Sequence, residues 1–230
     1  MKKVFAAIGL TALGMLLAVL ILPGWFGGDD AETRTYTVSE DFDSVIVRST
    51  DCEVYISPGY DEQCRVYIHG SGMVEVEDGV LTVMQTKPRG WFEKLAFWRS
   101  DDSYITVYLP KITCGDIDVQ TVSGDISVDS VKPETLTVKS TSGDVSLNTV
   151  RVSGAAEMTT VSGDIWFWEA DAGTVQIKTV SGDVSGSFLT AKNFETHSVS
   201  GDIWMPRSDK NGGKCVIQTT SGDIWIDEYE

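Results

Sequence analysis

From Ile117 onward apolar and polar residues alternate in short runs that recur in one frame: apolar-x-apolar-x-(Thr/Ser)-(Val/Thr)-Ser-Gly-Asp-(Ile/Val)-x-apolar. A period of two puts alternate side chains on opposite faces of a strand, and no helical heptad fits, so each run predicts β-strands meeting at a Ser-Gly-Asp corner. Three inward columns follow. The first holds Ile117, Leu136, Ala156, Val175, Phe194 and Cys215; the second holds Val119, Val138, Met158, Ile177, Thr196 and Ile217; the third holds Ile126, Val145, Ile165, Val184, Ile203 and Ile224. The aspartates of the six corners, Asp125, Asp144, Asp164, Asp183, Asp202 and Asp223, are spaced 19, 20, 19, 19 and 21 residues apart. A near-constant period of this length marks stacked repeats. One such coil cannot bury its own apolar face, whereas coils stacked ~4.8 Å apart bury a continuous core. The predicted fold is therefore all-β, a right-handed parallel β-solenoid with coils of about 19 residues. Glycine at the corner serves a close approach or a positive φ, and Ser and Asp beside it can cap turn amides.

The first half of the chain alternates less regularly, with strands expected around Val45–Val47, Val54–Ile56, Val66–Ile68, Val80–Val83 and Ile105–Leu109. Ser49–Ile56 aligns with Thr121–Val128 as a degenerate coil, in keeping with atypical terminal repeats that cap a stack. An insertion at 87–102 interrupts the strands. Its Lys87–Arg99 stretch carries four basic residues, one acid and four aromatics, and predicts a short helix over Trp91–Trp98. That element either plugs the stack or lies on anionic lipid or a partner.

At the N-terminus Lys2 and Lys3 precede nineteen uncharged residues, Val4–Leu22, a length that spans a bilayer core. Residues 1–26 thus predict a transmembrane helix with its N-terminus in the cytoplasm, Trp25 and Phe26 at the interface, and the remaining chain extracytoplasmic. Pro23–Gly28 offers no Ala-x-Ala cleavage site, which favours an uncleaved single-pass anchor over a signal peptide. The expected organisation is the anchor at 1–26, a linker at 27–34 and one β-domain at 35–230, irregular over 35–112 and regular over 113–230.

A net charge of -16 argues against nucleic acid as a partner, because phosphate binding needs a basic face. The Ile105–Pro110 strand, the anchor and the six Ser-Gly-Asp-(Ile/Val) corners resemble the bacterial DUF4097 family, also called the "putative adhesin" family. The resemblance covers roughly residues 40–230 and implies a β-strand-repeat domain at the bacterial cell surface. It carries over no catalytic residues.

Four sets of residues invite a functional reading. The six corner aspartates form a column that either caps turn amides or binds Ca²⁺ weakly along its length; no other cofactor is implied. Trp166, Trp204 and Trp225 fall in one outward column, with Trp168 beside Trp166, and exposed large aromatics mark contact surfaces unless neighbouring chain covers them. Stacking in chain order puts Trp204 and Trp225 ~4.8 Å apart and Trp166 about two coils from Trp204. Cys52 and Cys64 lie close enough in sequence for a disulfide on adjacent passes. Asp116, Asp118 and Asp129 are the acids that a polysaccharide-cleaving enzyme would need, yet neither His69 nor His197 has a catalytic or metal-ligand spacing. The reading favoured by the sequence is a membrane-anchored, non-catalytic, adhesin-like module that binds a glycan or protein. A structural or regulatory envelope protein docking a membrane partner is the second reading, and a polysaccharide-active enzyme the third.

Overall fold

The alternating runs become strands throughout. The computed structural model describes residues 33–60, 62–85 and 103–227. In chain order the strands are β1 (Thr33–Val38), β2 (Ser44–Arg48), β3 (Glu53–Pro58), β4 (Cys64–His69), β5 (Gly72–Glu77), β6 (Val80–Gln85), β7 (Tyr104–Leu109), β8 (Thr113–Gln120) and β9 (Ile126–Asp129). There follow β10 (Lys132–Lys139), β11 (Val145–Asn148), β12 (Arg151–Thr159), β13 (Ile165–Lys178), β14 (Val184–Phe188), β15 (Lys192–Ser200), β16 (Ile203–Trp204), β17 (Gly213–Ser221) and β18 (Ile224–Asp227).

Two ladders face each other across the core. The first runs β5-β6-β2-β8-β10-β12-β13-β17-β15. The second runs β1-β4-β7-β3-β9-β11-β13-β14-β18-β16. Strand β13 belongs to both, so the strands join into one sheet that wraps a single core as a nearly closed barrel. In the middle of the molecule the pairing is parallel and in register: Leu136 sits between Ile117 and Ala156, and Val145 between Ile126 and Ile165. Of the first inward column, Ile117, Leu136, Ala156, Val175 and Cys215 are each at most 5% exposed. The degenerate coil pairs as its alignment requires, Val54 with Ile126 and Ile56 with Val128.

The right-handed parallel β-solenoid expected from the repeat is nonetheless corrected to an all-β, mixed-sheet barrel. A solenoid stacks each coil on its predecessor, but here β2–β3 lies between β6–β7 and β8–β9, and β17–β18 lies between β13–β14 and β15–β16. Antiparallel strands also close the N-terminal end, with β5 on β6, β4 on β7 and β1 on β4. At the other end the exchange follows burial. The inward positions of β17–β18 are Cys215, Ile217, Thr219, Ile224 and Ile226, whereas those of β15–β16 include Thr196 and Ser198. Placing the more apolar coil inside gains about 1.5–3 kcal/mol for each fully buried aliphatic side chain and leaves the hydroxyls at the end.

The transmembrane helix expected over 1–26 lies outside the described residues, as do the insertion at 87–102 and its expected helix. Among the described residues no helix is long and apolar enough to cross a membrane. The described residues therefore give no support to the single-pass topology with a cytoplasmic N-terminus or to the membrane as a partner.

The corners set the register. An added Cβ on Gly143, Gly163, Gly182, Gly222 or Gly201 would lie 2.0–2.3 Å from the carbonyl oxygen of the glycine in the neighbouring coil. None of these glycines has a positive φ, so close approach is the reason for them. Hydroxyls tie the layers together: Ser140, Thr160, Thr179, Thr219 and Ser198 donate to glycine carbonyls one coil away, and within its own coil Ser140 Oγ accepts from the Gly143 amide. The aspartates continue the tie. The amide of Asp144 donates to Asp125 Oδ1, Asp164 to Asp144, Asp183 to Asp164, Asp223 to Asp183 and Asp202 to Asp223, all at 2.7–2.8 Å. A hydrogen bond to a charged acceptor contributes about 1.5–3 kcal/mol, more than the ~0.9 kcal/mol by which carboxylates ~4.8 Å apart repel at the dielectric of water.

Two outcomes test this corner. Gly163→Ala should lower stability by about 3 kcal/mol by forcing Cβ onto the Gly143 carbonyl, while Ser162→Ala, on the surface, should change it by less than about 0.5. Equal, small shifts in urea midpoint would show that the corner yields. Asp164→Ala should cost about 1–2 kcal/mol through loss of the cap on the Asp183 amide, and Asp164→Asn, which keeps an acceptor oxygen, much less. If the two substitutions cost the same, the charge and not the acceptor is what the corner needs.

Candidate functional site

The second ladder turns one face outward along its whole length, and the sequence loads that face with aromatic rings. In order of paired neighbours its central column reads Tyr67, Thr106, Tyr55, Ser127, Ser146, Trp166, Ser185, Trp225, Trp204. Trp166, Trp204 and Trp225 are 44, 46 and 53% exposed, and Trp168, one column over on the coil of Trp166, is 46% exposed. Because β17–β18 is inserted beneath β15–β16, the expected spacing changes. Trp225 and not Trp204 lies two strand spacings, ~9.6 Å, from Trp166, with Ser185 between them. Trp204 follows Trp225, their ring centroids 5.3 Å apart at 40°. Trp225 Nε1 donates to Asp227 Oδ1 at 2.9 Å, which fixes the ring on the face.

Toward the other end the same face holds a shallow cleft of about 410 Å³. Tyr55 and Tyr104 form its wall, Ser127 and Ser146 its floor, and Asp125 and Asp144 border it. The pairing of Ser146 with Trp166 places the tryptophan next along the floor. Tyr55 donates to Asp129 Oδ2 at 3.3 Å, and Asn148 Nδ2 donates to Asp129 Oδ1 at 3.0 Å. Burial, more than the neighbouring carboxylate, raises the Tyr55 pKa and keeps its hydroxyl protonated. His69 stacks on Tyr104 at 5.4 Å, and Tyr67 meets Tyr108 edge-on at 5.7 Å. These tyrosines are absent from the residues picked out by the repeat. The signal for Tyr55 was present, since its alignment with Ser127 puts it in the outward column.

The other sequence candidates do not assemble into chemistry. Among the described residues no group of three or more His, Cys, Asp or Glu side chains is arranged to hold a metal ion, and the bonds that the corner aspartates do make are the caps on the amides of the next coil. Asp118 pairs with Arg48 at 2.5 Å, Asp116 accepts from Thr135, and Asp129 lies on the opposite ladder, so these acids do not form a catalytic pair. Cys52, Cys64, Cys114 and Cys215 are thiols with no disulfide among them. The registers of β3 and β4 on β7 put Cys52 level with Ser103 and Cys64 level with Leu109, about 20 Å of strand apart, against the ~7 Å that a bridge allows. Burial pushes the Cys64 and Cys215 thiols up to about 12 and the Cys114 thiol to about 11, so they stay protonated and unreactive near neutrality.

A second groove, about 840 Å³, follows a corner of the first ladder past Lys132, Glu134, Arg151 and Asp171. Its one fully buried charge, Lys192, is satisfied within the fold by Asp171, by the Ala172 carbonyl at 2.8 Å and by Thr190 Oγ1 at 3.0 Å. The aromatic face is left as the surface whose side chains are not spent on the fold.

No curated protein matches the chain. Among solved structures it is similar to a "putative cell adhesion protein" from Clostridium sporogenes, at 12% identity and a TM-score of 0.53, covering 86% of this chain and 99% of the other. A "putative adhesin" from Bacteroides fragilis is similar at 15% identity and a TM-score of 0.51, with 86% and 97% covered. At these identities the likeness concerns the fold. The family model described as Toastrack DUF4097 matches residues 42–229, which take in the degenerate coil, the six Ser-Gly-Asp corners and the aromatic face. The chain belongs to the Toastrack DUF4097 family.

Proposed function

We propose that this protein is a non-enzymatic, adhesin-like binding domain whose aromatic face takes a neutral glycan chain lying along the stack. The observation that carries the reading is the outward column of Trp166, Trp225 and Trp204, about half-exposed and separated by small hydroxyl residues. A flat ring with few rotors gives a large apolar contact at low cost in conformational entropy, and sugar rings present matching apolar faces. The hydroxyls of Ser127, Ser146 and Ser185 and the carboxylates of Asp125 and Asp144 supply hydrogen-bond partners between and beside the rings. The same carboxylates, in a chain of net charge -16, repel polyanions and so select against acidic polymers. Membership of the family and the adhesion-related names of the two similar structures support a non-enzymatic role.

A panel of neutral and acidic polysaccharides, screened with the purified protein and followed by calorimetry on the hits, tests the reading. Trp166→Ala and Trp225→Ala should each weaken binding of a neutral glycan about tenfold or more, with little change in melting temperature because the rings are half in solvent. Preference for acidic polymers, or wild-type affinity in the folded double variant, would remove the aromatic face from the account.

A further inference from the structure

We propose that the end of the barrel formed by β15 and β16 is a self-association surface, on which two copies pair edge to edge about a two-fold axis. The two ends of the molecule are finished differently. At the N-terminal end antiparallel strands extend both ladders, β5 on β6 and β4 with β1 on β7, and the last of them, β1 and β5, lie against each other, with the Tyr36 hydroxyl donating to the Gly72 carbonyl at 3.3 Å. At the other end, among the described residues, β15 pairs only with β17, and β16 only with β18. The loop after β16 returns over the start of β15, where Phe194 donates its amide to Ser208 Oγ at 2.9 Å and Asp209 to the Lys192 carbonyl at 2.9 Å. Among the described residues no strand pairs with the edge from Glu195 to Trp204, where Met205 Sδ meets the Thr196 hydroxyl. Unpaired strand edges are templates for further strands, and proteins that need to block them place Lys or Pro on the edge or cover it. Within 195–204 there is neither.

The repeat is visibly interrupted there. Ile203 stands in a core column whose other members, Ile126, Val145, Ile165, Val184 and Ile224, are at most 1% exposed, yet it is 40% exposed. Val199 is 69% exposed, against 45–47% for Val122, Val161 and Val180 in the same corner column. Each earlier corner aspartate from Asp125 onward gives its Oδ1 to an amide of the next coil; Asp202, the last in the column, has no such donor among the described residues.

Charge and symmetry point to a second copy as the occupant. With Lys192 buried against Asp171, residues 193–212 hold two basic and three acidic residues, so this end carries about one net negative charge in a chain of net charge -16. Two copies approaching through this end therefore meet little like charge. A two-fold axis perpendicular to the ladders sets β15 antiparallel to its counterpart and β16 antiparallel to its own at once, and closes the association at two. A lone strand from an unrelated partner would complete one ladder only. Pairing would also bring the two Trp204–Trp225 pairs toward one another on the outer face, independently of what that face binds.

The test uses the full chain in two isotopically distinct forms, mixed and treated with a lysine cross-linker, alongside sedimentation over a range of concentrations. Cross-links between copies should join Lys210 or Lys214, and sedimentation should show a monomer–dimer equilibrium. Val199→Lys with Ile203→Lys, which sets each new charge against its own image across the axis, should weaken the dimer about tenfold or more. Val161→Lys, at the same corner position inside the stack, should leave it unchanged. If the double variant fails to fold, Val199→Lys alone and the wild-type cross-links decide the matter. A monomer at every concentration, cross-links between copies confined to Lys2 and Lys3, or an unchanged dimer in the folded variant would overturn the proposal.

Discussion

The contact on which the rest of this structure depends is the corner, where a glycine with no side chain lets the carbonyl of the neighbouring coil approach to within about 2 Å of where a Cβ would stand. At that distance nothing but glycine fits, so the coils can stack in one register only. Two further ties lock that register. The hydroxyl three residues before each glycine reaches a carbonyl in the next layer, and each aspartate carboxylate accepts the amide of the next aspartate. A slip by one residue would break these bonds and turn every inward aliphatic to solvent, because side chains alternate with a period of two.

Register at the corner fixes the two faces of each ladder. Inward, it aligns Ile, Val and Leu into columns that are almost wholly buried from Val45 to Ile226. Outward, it aligns tyrosines and tryptophans into a row along the second ladder. The turn on the far side of the second ladder is made differently, by Ser130, Thr149 and Glu169, one per coil, each with φ near +50°. A left-handed residue without the freedom of glycine costs about 1 kcal/mol, and the parallel hydrogen bonds on either side hold it there.

The aromatic face shows how an exposed row of rings arises from a repeat. Outward positions do not contribute to the core, so they are free to vary from coil to coil, and this chain uses serine in some and tryptophan in others. The serines matter as much as the rings, since they leave room between Trp166 and Trp225 and give the cleft beside Tyr55 its floor.

Much of this was legible in the sequence. The period of the Ser-Gly-Asp corner determined that the chain folds into stacked strands, alternation determined which residues face the core, and the same alternation put Trp166, Trp204 and Trp225 outward on one ladder. Tyr55 was within reach of that logic through its alignment with Ser127. What only the tertiary structure decided is the order of the coils. A repeat states that coils stack but not which neighbour each takes, because every corner offers the same glycine carbonyl and the same carboxylate. The choice fell to whole-coil burial: the apolar set around Ile217 and Ile226 took the inner place, and the coil carrying Thr196 and Ser198 was left at the end. That exchange, together with the antiparallel strands closing the opposite end, makes the molecule a mixed barrel and not a solenoid. It also moved Trp225 into the place that chain order had assigned to Trp204.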